Sequence, residues 1–134
     1  MDSRPVPPPV VLIVDDEPEI HGLIHRCLER AGFDALHAKD GVEAIAMLSA
    51  AAEQPCLVIT DMRMPRMNGA ELGAWVRSHY PSMPILYISG YMDELPPPAS
   101  DGSCQALAKP FTLDVLLEKV RELCKDAVEI RWGA

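Results

Sequence analysis

The sequence predicts an α/β fold, a doubly wound sheet of five parallel strands with helices on both faces. Short apolar runs alternate along the chain with longer segments whose apolar residues recur at helical spacing. Residues 10–14 and 57–59 are apolar throughout, which is typical of strands covered on both faces. Right-handed crossovers between such strands bring their carboxyl ends to one edge of the sheet.

The first half of the chain predicts three strands and two helices. A strand over residues 10–14 is followed by Glu17-Pro18-Glu19, which opens a helix because proline and acidic residues suit a first turn. Gly32 ends this helix, and residues 34–38 form a weaker strand. The third strand covers residues 57–61. For the second helix we expect an apolar inner face made of Val42, Ile45, Ala46 and Ser49.

The second half predicts two more strands, over residues 85–89 and 105–109, and two helices. Asn68 is a candidate N-cap for the third helix, and Thr112 caps the last one. The predicted inner face of the third helix is Leu72, Trp75, Val76 and His79. That of the last helix is Leu113, Leu116, Leu117, Val120, Leu123 and Cys124.

The segment between the last two strands departs from the alternation. Pro96 to Pro98 remove backbone donors and disfavour helical geometry, so the fourth helix of the pattern is predicted to be short or broken. Residues 9–126 form the one predicted domain, between a flexible proline-rich tail over 1–8 and a C-terminal tail over 127–134.

Composition excludes several classes of protein. A net charge of −8 and a pI near 4.8 argue against nucleic-acid binding. The chain has no apolar run long enough for a membrane span and no signal-peptide pattern, so we expect a cytoplasmic protein with no membrane insertion. In that compartment the scattered cysteines are expected to be reduced thiols: Cys27, Cys56, Cys104 and Cys124.

Two histidines have a spacing that metal sites use. His21 and His25 stand four residues apart on the first helix, but no third ligand lies near them in the sequence. They are therefore interpreted as solvated helix residues.

Polar side chains stand at the ends of four predicted strands. Asp15 and Asp16 follow the first strand, Asp61 ends the third, and Ser89 and Lys109 end the fourth and fifth. Carboxylates that meet at one edge repel one another, and Mg²⁺ relieves the repulsion because it prefers oxygen ligands. Mg²⁺ and a lysine stabilise the charge of a transferring phosphoryl group, and a carboxylate can itself be the nucleophile.

Four segments together resemble the receiver domains of response regulators in two-component signalling. They are Leu12 to Pro18, Thr60 to Gly69, Ile88 to Tyr91, and Lys109 to Phe111. The resemblance covers about residues 9–126 and implies the strand order 2-1-3-4-5 of chemotaxis receivers. It also implies a phosphohistidine donor, either a histidine kinase or a histidine phosphotransfer protein. The chain would act through protein contacts and lose its phosphoryl group slowly, rather than turn over as an enzyme.

The resemblance also implies roles for single residues. Asp61 would be the phosphoacceptor, and Mg²⁺ would be held by Asp15, Asp16, Asp61 and the backbone carbonyl of Arg63. Ser89 would be the hydroxyl switch.

Lys109 would contact the phosphoryl group, and its bond to Pro110 would be cis. The family usually carries an aromatic residue where this chain has Ala106, and Tyr91 is a candidate substitute. Two alternatives stay open: a receiver-like binding module that is never phosphorylated, and a Mg²⁺-dependent phosphohydrolase. Against the second, Arg63 stands where such an enzyme would have another acid.

Overall fold

A computed structural model describes residues 8–90 and 103–125 of the chain. All strand pairs of its one five-stranded sheet are parallel, and the order is β2-β1-β3-β4-β5, as expected. The strands are β1 (Val10–Val14), β2 (Asp34–Ala38), β3 (Leu57–Asp61), β4 (Ile85–Ser89) and β5 (Cys104–Ala108). The helices of the described residues are α1 (Pro18–Arg30), α2 (Gly41–Ala50), α3 (Gly69–His79) and α4 (Leu113–Leu123).

The two faces of the sheet bury separate cores, because successive side chains of a strand point to opposite faces. Val11 and Ile13 of β1 belong to the core under α1 and α4, whereas Leu12 and Val14 belong to the core under α2 and α3. Every residue of β3 and β4 is buried, which explains why both strands are apolar up to the polar residues at their carboxyl ends.

The predicted inner face of α2 is wrong. Gly41, Ala44 and Leu48 are its buried residues, whereas Val42 is 42% exposed. The helix is apolar around most of its circumference, so its hydrophobic pattern does not single out one face.

Single positions elsewhere also differ from the expectation. His79 of α3 is exposed, and its ring stacks on half-buried Trp75 with centroids 4.1 Å apart. Leu113 stands in the first turn of α4 and is 37% exposed. The fifth strand begins and ends one residue earlier than predicted, so Lys109 follows it directly. The broken fourth helix at Pro96 to Pro98, and the tails apart from Pro8, lie outside the described residues.

The register of the sheet positions the polar strand ends. Val14 of β1 pairs with Thr60 of β3, so the residues that follow them, Asp15 and Asp61, come to lie side by side. On the other flank Asp61 pairs with Ile88 of β4, and β5 continues the same edge. The prediction that β1 and β3 are neighbours is confirmed.

Candidate functional site

The carboxyl edge of the sheet gathers four acidic side chains. One carboxylate oxygen from each of Asp15, Asp16, Glu17 and Asp61 lies within 4.8 Å of the others. Asp15 and Asp61 are 3% and 6% exposed, whereas Asp16 and Glu17 are open to solvent. The site therefore has a buried floor and an exposed rim, and all its ligand atoms are carboxylate oxygens.

Glu17 is the member of this cluster that sequence reasoning missed. It was interpreted only as part of the opening of a helix, and it does occupy the N-cap position of α1. Its backbone N–H also donates to Asp15 Oδ1 over 2.8 Å, which turns the chain back toward the site. The available signal was its position directly after the two aspartates.

Burial makes the ionised form of Asp15 unfavourable. Desolvation raises the pKa of Asp15 to about 6, and the negative charge of Asp61 adds to this. The hydrogen bond from Glu17 opposes the shift without cancelling it. A bound cation would reverse the balance, because it favours the ionised carboxylate.

Lys109 supplies the positive charge at this edge. Its Nζ donates to Asp61 Oδ2 over 3.1 Å, and its backbone N–H donates to the carbonyl of Ser89 over 2.8 Å. Burial lowers the pKa of Lys109, but the hydrogen bond and charge of Asp61 outweigh burial and leave this pKa above its usual value. The lysine is therefore held as an ammonium ion, and the Lys109–Pro110 bond is cis, as the resemblance implied.

The loop after β3 orients Asp61. The backbone N–H of Arg63 donates to Asp61 Oδ1 over 3.3 Å, so both carboxylate oxygens accept hydrogen bonds. The hydroxyl of Thr60 donates to the carbonyl of Asp61 over 2.9 Å. Gly69 passes so close to that carbonyl that a Cβ atom would overlap it, which explains a glycine at the start of α3.

Ser89 and Arg63 are also predicted site residues at this edge of the sheet, and their functional roles stay predictions. Ser89 is 1% exposed at the end of β4, and its register partner is Ala108, directly before Lys109. The ligand role of the Arg63 carbonyl stays a prediction. Ala106 pairs with Tyr87 across β4 and β5, so the structure shows which strand position lacks the expected aromatic residue. Tyr91 lies outside the described residues.

The prediction of solvated histidines on α1 is wrong, because β2 contributes a third ring. His37 Nε2 lies 2.7 Å from His25 Nδ1, and the rings of His21 and His37 have centroids 4.9 Å apart. His21 Nε2 and His37 Nδ1 are buried and have no hydrogen-bond partner among the described residues. Burial lowers the pKa of both of these imidazoles, His21 and His37, so their protonation is disfavoured.

A five-stranded parallel sheet of order 2-1-3-4-5, with an acidic cluster and a lysine at its carboxyl edge, defines the receiver class of signalling domain. The chain belongs to this family: the model of the response regulator receiver domain matches residues 11–121. In the described residues, none of the helices has the length and apolar character needed to cross a membrane.

Individual proteins show the same relationship. The chain is 32% identical over 117 residues to the response regulator MprA of Mycobacterium avium, covering 86% of this chain and 50% of MprA. It is similar in structure to the Vibrio cholerae chemotaxis protein CheY4, with 30% identity, a TM-score of 0.72 and coverage of 86% and 98%. Against the response regulator TrrA of Thermotoga maritima, solved in complex with Mg²⁺ and BeF, identity is 29%, the TM-score 0.76 and coverage again 86% and 98%.

The chain spans about half the length of the MprA relatives it matches. Receiver domains are phosphoaccepting signalling modules, and this chain is one of them.

Proposed function

We propose that Asp61 accepts a phosphoryl group from a phosphohistidine on a histidine kinase or a histidine phosphotransfer protein. The observation that carries this proposal is the hydrogen bond of Lys109 to Asp61 beside three further carboxylates. A buried acid that is paired with a lysine and surrounded by other acids is poorly explained by stability, because burial of like charges is unfavourable.

The donor set fits Mg²⁺. All four acidic side chains offer oxygen, and the raised pKa of Asp15 supports the binding of a positive charge there. Asp15, Asp16 and Asp61 would hold the ion with the backbone carbonyl of Arg63, and Glu17 stands close enough to contribute. When bound, the ion neutralises charge that develops on the phosphoryl oxygens.

The protein's own side chains would carry out the other parts of the phosphoryl transfer. One oxygen of the Asp61 carboxylate forms a bond to phosphorus while the bond from phosphorus to the donor imidazole nitrogen breaks, and that nitrogen keeps the electron pair. The Lys109 ammonium group, already 3.1 Å from Asp61, is placed to stabilise the transferred oxygens. Ser89 would donate its hydroxyl to the phosphoryl group and so report its arrival.

In this function the chain is an acceptor that loses its phosphoryl group slowly, rather than a turnover enzyme, and its output is through protein contacts. The chain would act in the cytoplasm, where kinases that use ATP load such donors. The domain of the proposal is residues 9–126, with both tails outside it.

The test is phosphorylation by acetyl phosphate in Mg²⁺, followed by intact mass. We expect one base-labile phosphoryl adduct on the wild type and none on Asp61→Asn. Asp114→Asn, a change to an exposed carboxylate on α4, is the matched control and should keep the adduct. Asp16→Asn should need more Mg²⁺ for the same yield.

Two outcomes would contradict the proposal. An adduct that persists in Asp61→Asn would move the acceptor elsewhere, and its absence in the wild type would favour an unphosphorylated binding module. Release of many phosphates per chain from varied esters would indicate the phosphohydrolase.

A further inference from the structure

The side chains of two cysteines face each other at the amino end of the sheet, away from the acidic cluster. Cys56 directly precedes β3, and Cys124 is the C-cap of α4. Their Sγ atoms lie 3.1 Å apart, although the residues are separated by 68 positions in sequence. A disulfide has a sulfur–sulfur distance of about 2.05 Å, so the two atoms need to approach by only about 1 Å.

The backbone on both sides of this pair is fixed by regular structure. The N–H of Cys56 donates over 2.8 Å to the carbonyl of Val10, the first residue of β1. The N–H of Cys124 donates to the carbonyl of Val120 over 2.8 Å, at the end of α4. The short distance between the sulfur atoms therefore follows from the packing of α4 against the sheet.

The two thiols are not equivalent. Cys124 is 1% exposed, and its hydrogen bond with Cys56 together with burial raises the pKa of its thiol. Cys56 is only part-buried, and both cysteines line a cavity of about 540 Å³ together with Pro55, Tyr80 and Pro84. The cavity gives a small reagent access to the pair. Cys56 is the more exposed of the two thiols, so we expect it to react first, as the nucleophile.

We propose that Cys56 and Cys124 are a reversible oxidation site that closes to an intramolecular disulfide with hydrogen peroxide. The Cys56 thiolate attacks one peroxide oxygen, the O–O bond breaks, and after protonation one water leaves and a sulfenic acid remains. The Cys124 sulfur then attacks the Cys56 sulfur, and the sulfenic hydroxyl leaves with the Cys124 proton as a second water. Both thiols are oxidised by one electron each, and the peroxide is reduced by two.

The site is independent of the proposed phosphoacceptor. Cys56 stands before the first residue of β3, whereas Asp61 is the last residue of that strand. A disulfide would join the end of α4 to the start of β3 without touching the acidic edge. Failure of the disulfide and failure of phosphorylation can therefore be told apart in separate assays.

The test is exposure of the reduced full chain to hydrogen peroxide, followed by alkylation, intact mass and trypsin digestion. We expect a monomer lighter by two hydrogens with two thiols protected from alkylation. Digestion should yield peptide 40–63 linked to peptide 122–125, since these carry Cys56 and Cys124. The oxidised chain should unfold at a higher temperature than the same sample after dithiothreitol, because the bond closes a long loop in the unfolded state.

Matched variants separate this pair from the other thiols. Cys27→Ser and Cys104→Ser should retain the loss of two hydrogens, and Cys56→Ser, checked for folding by circular dichroism, should abolish it. The proposal is overturned if Cys56→Ser still loses two hydrogens, if oxidation adds oxygen without linking the peptides, or if the linked peptides come only from covalent dimers.

Discussion

The loops after β1 and β2 contain two buried aspartates with opposite electrostatics. Asp15 is 3% exposed and Asp40 is 2% exposed, and each directly or closely follows its strand at the same edge of the sheet. Burial raises the pKa of Asp15 to about 6, with Asp61 adding to the shift. The pKa of Asp40 is lowered, chiefly because its carboxylate accepts the N–H of Glu43.

The difference lies in what each carboxylate faces. Asp40 caps α2 and accepts two hydrogen bonds from Arg66, at 2.9 Å and 2.6 Å, so its charge is neutralised within the fold. Asp15 accepts one backbone N–H, and the charge of Lys109 also favours its ionised form, but burial and the charge of Asp61 outweigh both. Burial alone therefore does not mark a functional acid. An acid whose ionised form is still disfavoured after its protein partners are counted, as at Asp15, is the one that an external cation would stabilise.

The largest expected effect is at Asp15. Asp15→Asn should stabilise the metal-free protein by about 1 to 3 kcal/mol, because it removes a buried charge that repels Asp61 while the amide oxygen still accepts the N–H of Glu17. The measurement is urea unfolding with a chelator present. The same variant should lose the stabilisation that Mg²⁺ gives to the wild type. A destabilised Asp15→Asn protein would mean that the carboxylate is already satisfied by the fold.

The matched change at Asp40 should have the opposite sign. Asp40→Asn keeps a side chain that can cap α2 but loses the charged pair with Arg66, whose side chain is 55% exposed. We expect a loss of about 1 kcal/mol in the same unfolding assay, since solvent screens the exposed guanidinium. Addition of Mg²⁺ should not alter this difference. If Asp40→Asn were as stabilising as Asp15→Asn, the contrast between the two loops would be lost.

The pH dependence of these two variants should separate them further. A carboxyl whose folded pKa is raised favours the folded state below its ordinary value of 3.8, and this stability is lost as pH rises through about 6. A carboxyl whose folded pKa is lowered contributes stability above 3.8, which is lost as pH falls through its folded pKa.

Unfolding midpoints should therefore be measured in chelator at a series of pH values. The stability difference from the wild type should depend on pH in a different way for each variant. The advantage of Asp15→Asn over the wild type should grow between pH 4 and pH 6, whereas the cost of Asp40→Asn should shrink below about pH 4. Parallel curves for the two variants would contradict the assigned shifts. Mg²⁺ should flatten the wild-type curve between pH 4 and pH 6, because the ion takes the place of the proton on Asp15.

Much of the fold and of the site could be predicted from sequence because the signals are local. Strand β1 is an unbroken apolar run, and β3 begins with three apolar residues. Asp15 directly follows β1, and Asp61 is the last residue of β3. The buried face of α2 could not be predicted, because the helix is apolar on several sides. Which side is buried depends on its packing with β2 and α3.

Contacts between residues that are far apart in the sequence, or that depend on a local turn, could not be predicted either. Glu17 joins the acidic cluster through a turn stabilised by the Asp15 side chain, and a helix-opening pattern does not show that. The approach of Cys56 to Cys124 and of His37 to α1 comes from elements far apart in sequence. One sequence without an alignment contains no pattern that pairs such residues.

The smallest expected effect concerns the cluster of His21, His25 and His37. At His37, as at Asp15, burial and neighbouring like charges disfavour the ionised form, which here is the positively charged imidazolium. Burial lowers the pKa of His37, and the charges of His21 and His25 lower it further. We expect its imidazole to titrate below 6.5 in nuclear magnetic resonance spectra, and His25→Gln to move that midpoint upward by removing one repelling ring. His79→Gln, at the exposed ring on α3, is the control and should leave it unchanged. A base whose pKa is lowered in the folded state destabilises that state as pH falls, because the unfolded chain binds the proton more readily. As pH falls through 6.5, His37 therefore lowers the free energy of unfolding, whereas Asp15 raises it. A midpoint at or above 6.5 would show that the rings separate in solution and that the cluster imposes no electrostatic cost.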